Sequence, residues 1–121
     1  MLEPTNALIL NNYGYSLSLR GERLEEALNM ALTALELDPE NGAYLDTVGW
    51  IYFRLGKAEQ ALDYIERATV IHQTSYEVYD HLGDVYAALN MPEKAREAWE
   101  KALMLNKDDI KIKKKLSQSF E

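Results

Sequence analysis

A chain of 121 residues, 47% of them hydrophobic, has enough apolar surface to build one core without covalent staples. Its 13 basic and 20 acidic side chains leave a net charge of −7, which argues against a general nucleic-acid binder, because phosphate calls for a basic face. The absence of cysteine excludes disulfides, thiolate zinc sites and a cysteine nucleophile, and leaves the compartment open, because a chain without thiols suits either side of a membrane. No apolar run approaches the roughly 20 residues that span a bilayer, so no membrane insertion is expected. Met1-Leu2-Glu3-Pro4 has neither the basic flank nor the apolar stretch of a signal peptide.

The chain repeats itself. Residues 42–75 laid on 76–109 bring Leu45 to Tyr79, Asp46 to Asp80, Val48 to Leu82, Gly49 to Gly83 and Tyr52 to Tyr86. Further along, Ala61 meets Ala95, Ile65 meets Trp99 and Ala68 meets Ala102, all at an offset of 34. The first third matches the middle at an offset of 35 up to Gly21, with Leu10, Gly14 and Leu17 on Leu45, Gly49 and Tyr52. The offset is 34 from Ala27 onward, so the first unit holds one extra residue between Gly21 and Ala27. The units are about 7–41, 42–75 and 76–109, within a single domain spanning 1–121.

Taken in chain order, helix 6–20 is apolar on more than one face, with Leu8, Ile9, Leu10, Tyr13, Leu17 and Leu19 around its circumference. Such a helix is normally covered. A further repeat, a second protomer, or local self-packing with Leu2 is expected to cover it. Asp38-Pro39 reads as the start of the next helix. The stripe Leu45, Val48, Tyr52 and Leu55 then has helical period, breaks at Gly56-Lys57, and resumes through Ala58, Ala61, Leu62, Ile65 and Ala68. Thr74 and Glu77 have capping-box spacing ahead of unit three. In that unit the break is Leu89-Asn90-Met91-Pro92, where Asn tolerates a left-handed turn and Pro suits a first helical turn.

Gly14, Gly49 and Gly83 fall mid-helix, where glycine costs about 1 kcal/mol relative to alanine, so each is expected at a crowded crossing. Ala27, Ala61 and Ala95 face them, and Tyr52, Tyr86, Ile65 and Trp99 are expected to pack between adjacent units. The final segment, about 108–120, places Ile112, Leu116 and Phe120 four apart among Lys111, Lys113, Lys114 and Lys115. It reads as a capping helix with one docked stripe and a solvated lysine face.

This pattern resembles the tetratricopeptide-repeat (TPR) family. The pattern of aromatic or leucine, Leu-Gly, Tyr, Ala, aromatic and Ala is matched by Tyr79, Leu82-Gly83, Tyr86, Ala95, Trp99 and Ala102 in unit three. Unit two matches with Leu45, Val48-Gly49, Tyr52, Ala61, Ile65 and Ala68, and unit one with Leu10, Tyr13-Gly14, Leu17, Ala27, Ala31 and Ala34. Gln73 and Lys107 stand where the family has proline. The wording of the first two units is similar to the C-terminal blocks of long bacterial proteins of this family, some of them envelope-associated. The resemblance implies an all-α right-handed superhelix of three helix–turn–helix units plus a C-terminal capping helix. It also implies a concave groove, lined by the first helices, for a partner peptide or helix.

On that geometry Asn11, Tyr15 and Ser18 point into the groove from unit one, and Asp46, Trp50, Phe53 and Arg54 from unit two. Glu77, Asp80, His81, Asp84 and Ala88 follow from unit three. A well-known subset of the family grips a C-terminal carboxylate with basic side chains. Here the corresponding positions hold Asn11, Tyr15, Thr47, Glu77 and His81, which lack the cations. A basic or aromatic-anchored peptide is expected instead, with Trp50 and Phe53 giving burial and Asp80 and Asp84 steering. No enzyme is expected. His72 and His81 lie on separate elements without metal-ligand spacing, and there is no phosphate loop or nucleophile elbow. His72 is expected at a turn, and no cofactor or metal is implied, Asp80-His81 with Asp84 being the nearest approach to a metal site.

Overall fold

The computed structural model describes residues 6–118; Leu2 and Phe120 lie outside the described residues. Seven helices follow one another: α1 (Ala7–Arg20), α2 (Leu24–Leu37), α3 (Gly42–Arg54), α4 (Ala58–Ile71), α5 (Tyr76–Ala88), α6 (Pro92–Leu105) and α7 (Ile110–Gln118). They pair as α1·α2, α3·α4 and α5·α6, and each hairpin stacks on the next through α2·α3 and α4·α5, with α7 closing on α6. No described helix is long and apolar enough to cross a membrane.

Capping distinguishes the two helices of each hairpin. The first helices begin with a side chain that accepts a backbone N–H: Asn6 from Ile9, Asn41 from Tyr44 at 3.1 Å, and Ser75 from Val78. Asp109 does the same for α7, accepting from Ile112 at 3.1 Å. The second helices start at Arg23, Lys57 and Met91 with no side-chain cap. Two expectations are corrected here. Asp38 ends α2 rather than starting α3, and Asn41 takes the capping role; likewise Ser75, not Thr74, caps α5. Asp, Asn, Ser and Thr cap almost equally well, so local chemistry does not choose among neighbours. Asn90 is left-handed at φ 61° and Pro92 opens α6, as the sequence indicates.

The three mid-helix glycines are the crossing points. A Cβ on Gly14 would lie 2.9 Å from the Ala27 carbonyl oxygen, one on Gly49 would overlap the Ile65 side chain, and one on Gly83 would overlap the Trp99 indole. Ile65 and Trp99 therefore pack on the glycine of their own hairpin. Tyr52 likewise stacks on Tyr64 within its hairpin, at 5.5 Å between ring centroids. Tyr86 does bridge units, donating its hydroxyl to Glu66 of α4 at 2.7 Å. Ala27, Ala61 and Ala95 are wholly buried, as are Leu17, Leu45, Ile51, Val85 and Ile112.

Candidate functional site

The first helices α1, α3 and α5 stand side by side, and one feature recurs along the line they form. Asp46 on α3 meets His81 on α5, whose Nδ1–H donates to the carboxylate at 2.9 and 3.0 Å. Asp80 on α5 meets Lys115 on α7, whose ammonium donates at 2.7 Å and also reaches Asp84 at 3.0 Å. Asp80 is the repeat equivalent of Asp46, and Lys115 that of His81, each thirty-four residues on. An acid on one first helix thus pairs with a basic side chain one repeat position further along.

Electrostatics follow from this ladder. Burial opposes charge on His81, but the field of Asp46 and its hydrogen bond outweigh burial, with help from Asp80 and Asp84, and lift the imidazole above its usual range. Burial likewise works against the Lys115 ammonium, and hydrogen bonds and attraction from Asp80 and Asp84 overcome it, raising the amine. Burial pushes the Asp84 carboxyl up, only partly offset by Lys115.

Trp50 lies flat against His81 at 4.1 Å between ring centroids and against Phe53 at 5.1 Å, forming a stack that reaches from α3 to α5. Its ring fills the gap between neighbouring first helices while remaining half-exposed. Beside it a concavity of about 300 Å³ is lined by Asn11, Tyr15, Asp46, Thr47, Glu77 and Val78, together with Ala43, His72 and Ser75. The Tyr15 phenol is raised by burial first and then by the carboxylates of Glu77 and Asp46, which marks the local field as negative.

Of the expected groove residues, Asn11, Tyr15, Asp46 and Glu77 thus share one concavity, with Trp50, Phe53 and His81 in the adjoining stack. Ser18 does not face the groove: it is wholly buried, its hydroxyl donating to the Tyr15 carbonyl at 2.6 Å. Arg54 lies exposed at the end of α3 with its guanidinium over Gly21, and Ala88 is exposed at the equivalent place on α5. Asp80 and Asp84 are not open to a ligand's cation as expected, because Lys115 already occupies them. The expectation of a wholly solvated lysine face fails at the same residue, while Lys111, Lys113 and Lys114 are exposed. His72 ends α4 as a turn residue, and its ring lies against Gly42. Sequence reasoning missed Lys115 and the His72 contact; for Lys115 the available signal was its position thirty-four residues after His81. Among the described residues no group of three His, Cys, Asp or Glu side chains is arranged to hold a metal ion.

Tetratricopeptide-repeat profiles match residues 44–70 and 76–109, the second of which spans α5 and α6 together. The chain is a tetratricopeptide-repeat protein. It is 42% identical over 82 residues to a TPR repeat-containing protein of Pseudomonas aeruginosa, an alignment covering 68% of this chain and 14% of that protein. It is 31% identical over 87 residues to the BBSome complex member BBS4 of Mus musculus, covering 72% of this chain and 17% of that one. The chain therefore spans less than a fifth of the length of these relatives. Among solved structures, the first TPR domain of human RPAP3 superposes with a TM-score of 0.87 at 24% identity, covering 97% of this chain and 91% of that one. The first TPR of Spaghetti (RPAP3) bound to an HSP90 peptide also superposes at 0.87, with 23% identity and coverage of 98% and 93%. At these identities the likeness establishes the fold.

Proposed function

We propose that this TPR protein is an interaction scaffold without chemistry of its own, whose concave groove holds an extended segment or helix of a protein partner. The observation that carries this reading is the half-exposed Trp50–Phe53 stack beside a concavity built by α1, α3 and α5 together. A flat aromatic pair of this kind supplies apolar area at little conformational cost. The first TPR of Spaghetti (RPAP3), which shares the fold, is bound to an HSP90 peptide, which supports a peptide segment as the kind of partner. The anionic lining, with Glu77 at a position where carboxylate-gripping relatives need a cation, favours a different peptide chemistry here.

The test uses peptides selected from a random library on the immobilised chain. Their affinity should fall at least tenfold with Trp50→Ala, while Arg96→Ala on α6 leaves it unchanged. Peptides indifferent to Trp50 would remove this assignment.

A second reading concerns α1, and a specific observation favours it. Ile9, Asn12, Tyr13, Ser16 and Arg20 line an open hollow of about 470 Å³ on its outer side. The equivalent residues Tyr44, Thr47, Val48 and Ile51 of α3 are buried beneath the preceding hairpin, and Val78 and Leu82 of α5 likewise. We infer that a further hairpin of a longer bacterial array, or a second protomer in self-assembly, covers this side. The 42% identity to part of a much longer Pseudomonas protein supports the first form. Sedimentation at rising concentration distinguishes them: association abolished by Tyr13→Lys marks self-assembly.

A further inference from the structure

The ladder of first helices has an unfinished step. Asp46 is closed by His81 and Asp80 by Lys115, each time with a basic side chain from a later helix. The corresponding pair in the first unit is Asn11 on α1 and Thr47 on α3, and neither residue brings a charge. Thr47 directs its hydroxyl to the Ala43 carbonyl at 3.0 Å, away from this role. Asn11 is only 7% exposed, and among the described residues its side-chain oxygen has no hydrogen-bond donor. A buried carbonyl oxygen left without a donor is unfavourable, so an N–H brought to this wall of the concavity would find an unmet acceptor.

We propose that this concavity is a subsite for a basic side chain, in which a ligand's guanidinium or ammonium donates to Asn11 and faces Tyr15 and Glu77, completing the step that the chain leaves open. The proposal rests on the groove reading above and names the group that the groove selects. Three observations converge on a cation rather than a neutral donor. Glu77 is exposed and lines the concavity. The two steps that are complete are both closed by basic side chains. The Tyr15 phenol, raised by burial first and then by the carboxylates of Glu77 and Asp46, lines the same concavity. At about 300 Å³ the hollow admits one extended basic side chain. The preference is the reverse of a carboxylate grip at the same place in the fold.

The test titrates the full chain with the peptide acetyl-Ala-Arg-Ala-amide and with its citrulline counterpart, which keeps the shape and removes the charge. Binding is followed through the NMR signals of the Asn11 side-chain amide and the Tyr15 ring. The arginine peptide should move both signals saturably and bind at least tenfold tighter than the citrulline peptide. Glu77→Gln, on an exposed position, should weaken it about fivefold without altering the fold, and Asn11→Leu should abolish the response. Equal binding of the two peptides, shifts centred on Asp80 and Asp84 instead, or no shift at all would each overturn the subsite. Library peptides that need Trp50 while Asn11 stays silent would sink the subsite and leave the groove reading standing. A response at Asn11 with library peptides indifferent to Trp50 would do the opposite.

Discussion

The first and last hairpins share a repeat pattern but solve the same three problems differently. At the crossing point Gly14 faces backbone, the Ala27 carbonyl, whereas Gly83 faces a side chain, the Trp99 indole. On the ladder the first hairpin contributes neutral Asn11, while the last contributes Asp80 to a charged contact with Lys115. At the outer side α1 leaves Ile9 and Tyr13 uncovered at 38% and 39%, while α7 sinks Ile112 completely and turns lysines to solvent. The difference teaches that repeat identity fixes where the helices cross, and that the residues between the repeat positions decide what each end presents.

The largest expected effect comes from the closed end. Ile112→Ala removes the one fully buried side chain of α7 and should cost about 2–5 kcal/mol of its docking, seen as lost amide protection over 110–118. Next come the crossings. Gly83→Ala and Gly14→Ala should each destabilise by about 1–3 kcal/mol in urea melts. A second change, Trp99→Leu, should restore part of the loss at Gly83, whereas no side-chain change rescues Gly14, because its obstacle is main chain. If both crossings were rescued alike, the contrast between the two hairpins would be wrong.

The ladder adds a pH dependence. The imidazole of His81 is held above its unfolded value of about 6.5. The folded protein therefore binds that proton more tightly, and the contribution is fully present below pH 6.5 and disappears as pH rises through the folded value. Melting temperature should fall across that interval in the wild type and flatten in Asp46→Asn, while Lys115→Met leaves the slope in place. Smaller again is Tyr86→Phe. Loss of the phenol's bond to Glu66, which with burial pushes that phenol up to about 12, should cost about 0.5–1.5 kcal/mol. At the open end, Tyr13→Gln should change stability by under about 0.5 kcal/mol while altering any association seen by sedimentation.

How far the sequence carried each part follows from the range of the interactions. The hairpins and the crossing glycines were legible because periodicity and a repeated glycine register local crowding. The caps missed by a residue or more, at Asp38 for Asn41 and Thr74 for Ser75, because neighbouring polar residues share the same capping chemistry and tertiary packing makes the choice. Asp46, His81, Asp80 and Lys115 were visible as types but not as pairs. Their partners lie thirty-five residues apart, and nothing local says that the acid of one unit addresses the cation of the next. Hence Asp80 and Asp84 read as open acids until the lysine from α7 was seen upon them.

The offset pairing also bears on how arrays of this kind can be rearranged. Were the second and third hairpins to trade places, Asp80 would stand opposite Thr47 and His81 opposite Asn11, stranding one carboxylate and one imidazole. Hairpins alike enough to be taken for spare parts are thus keyed to their order, and shuffling them requires re-cutting both teeth of each joint.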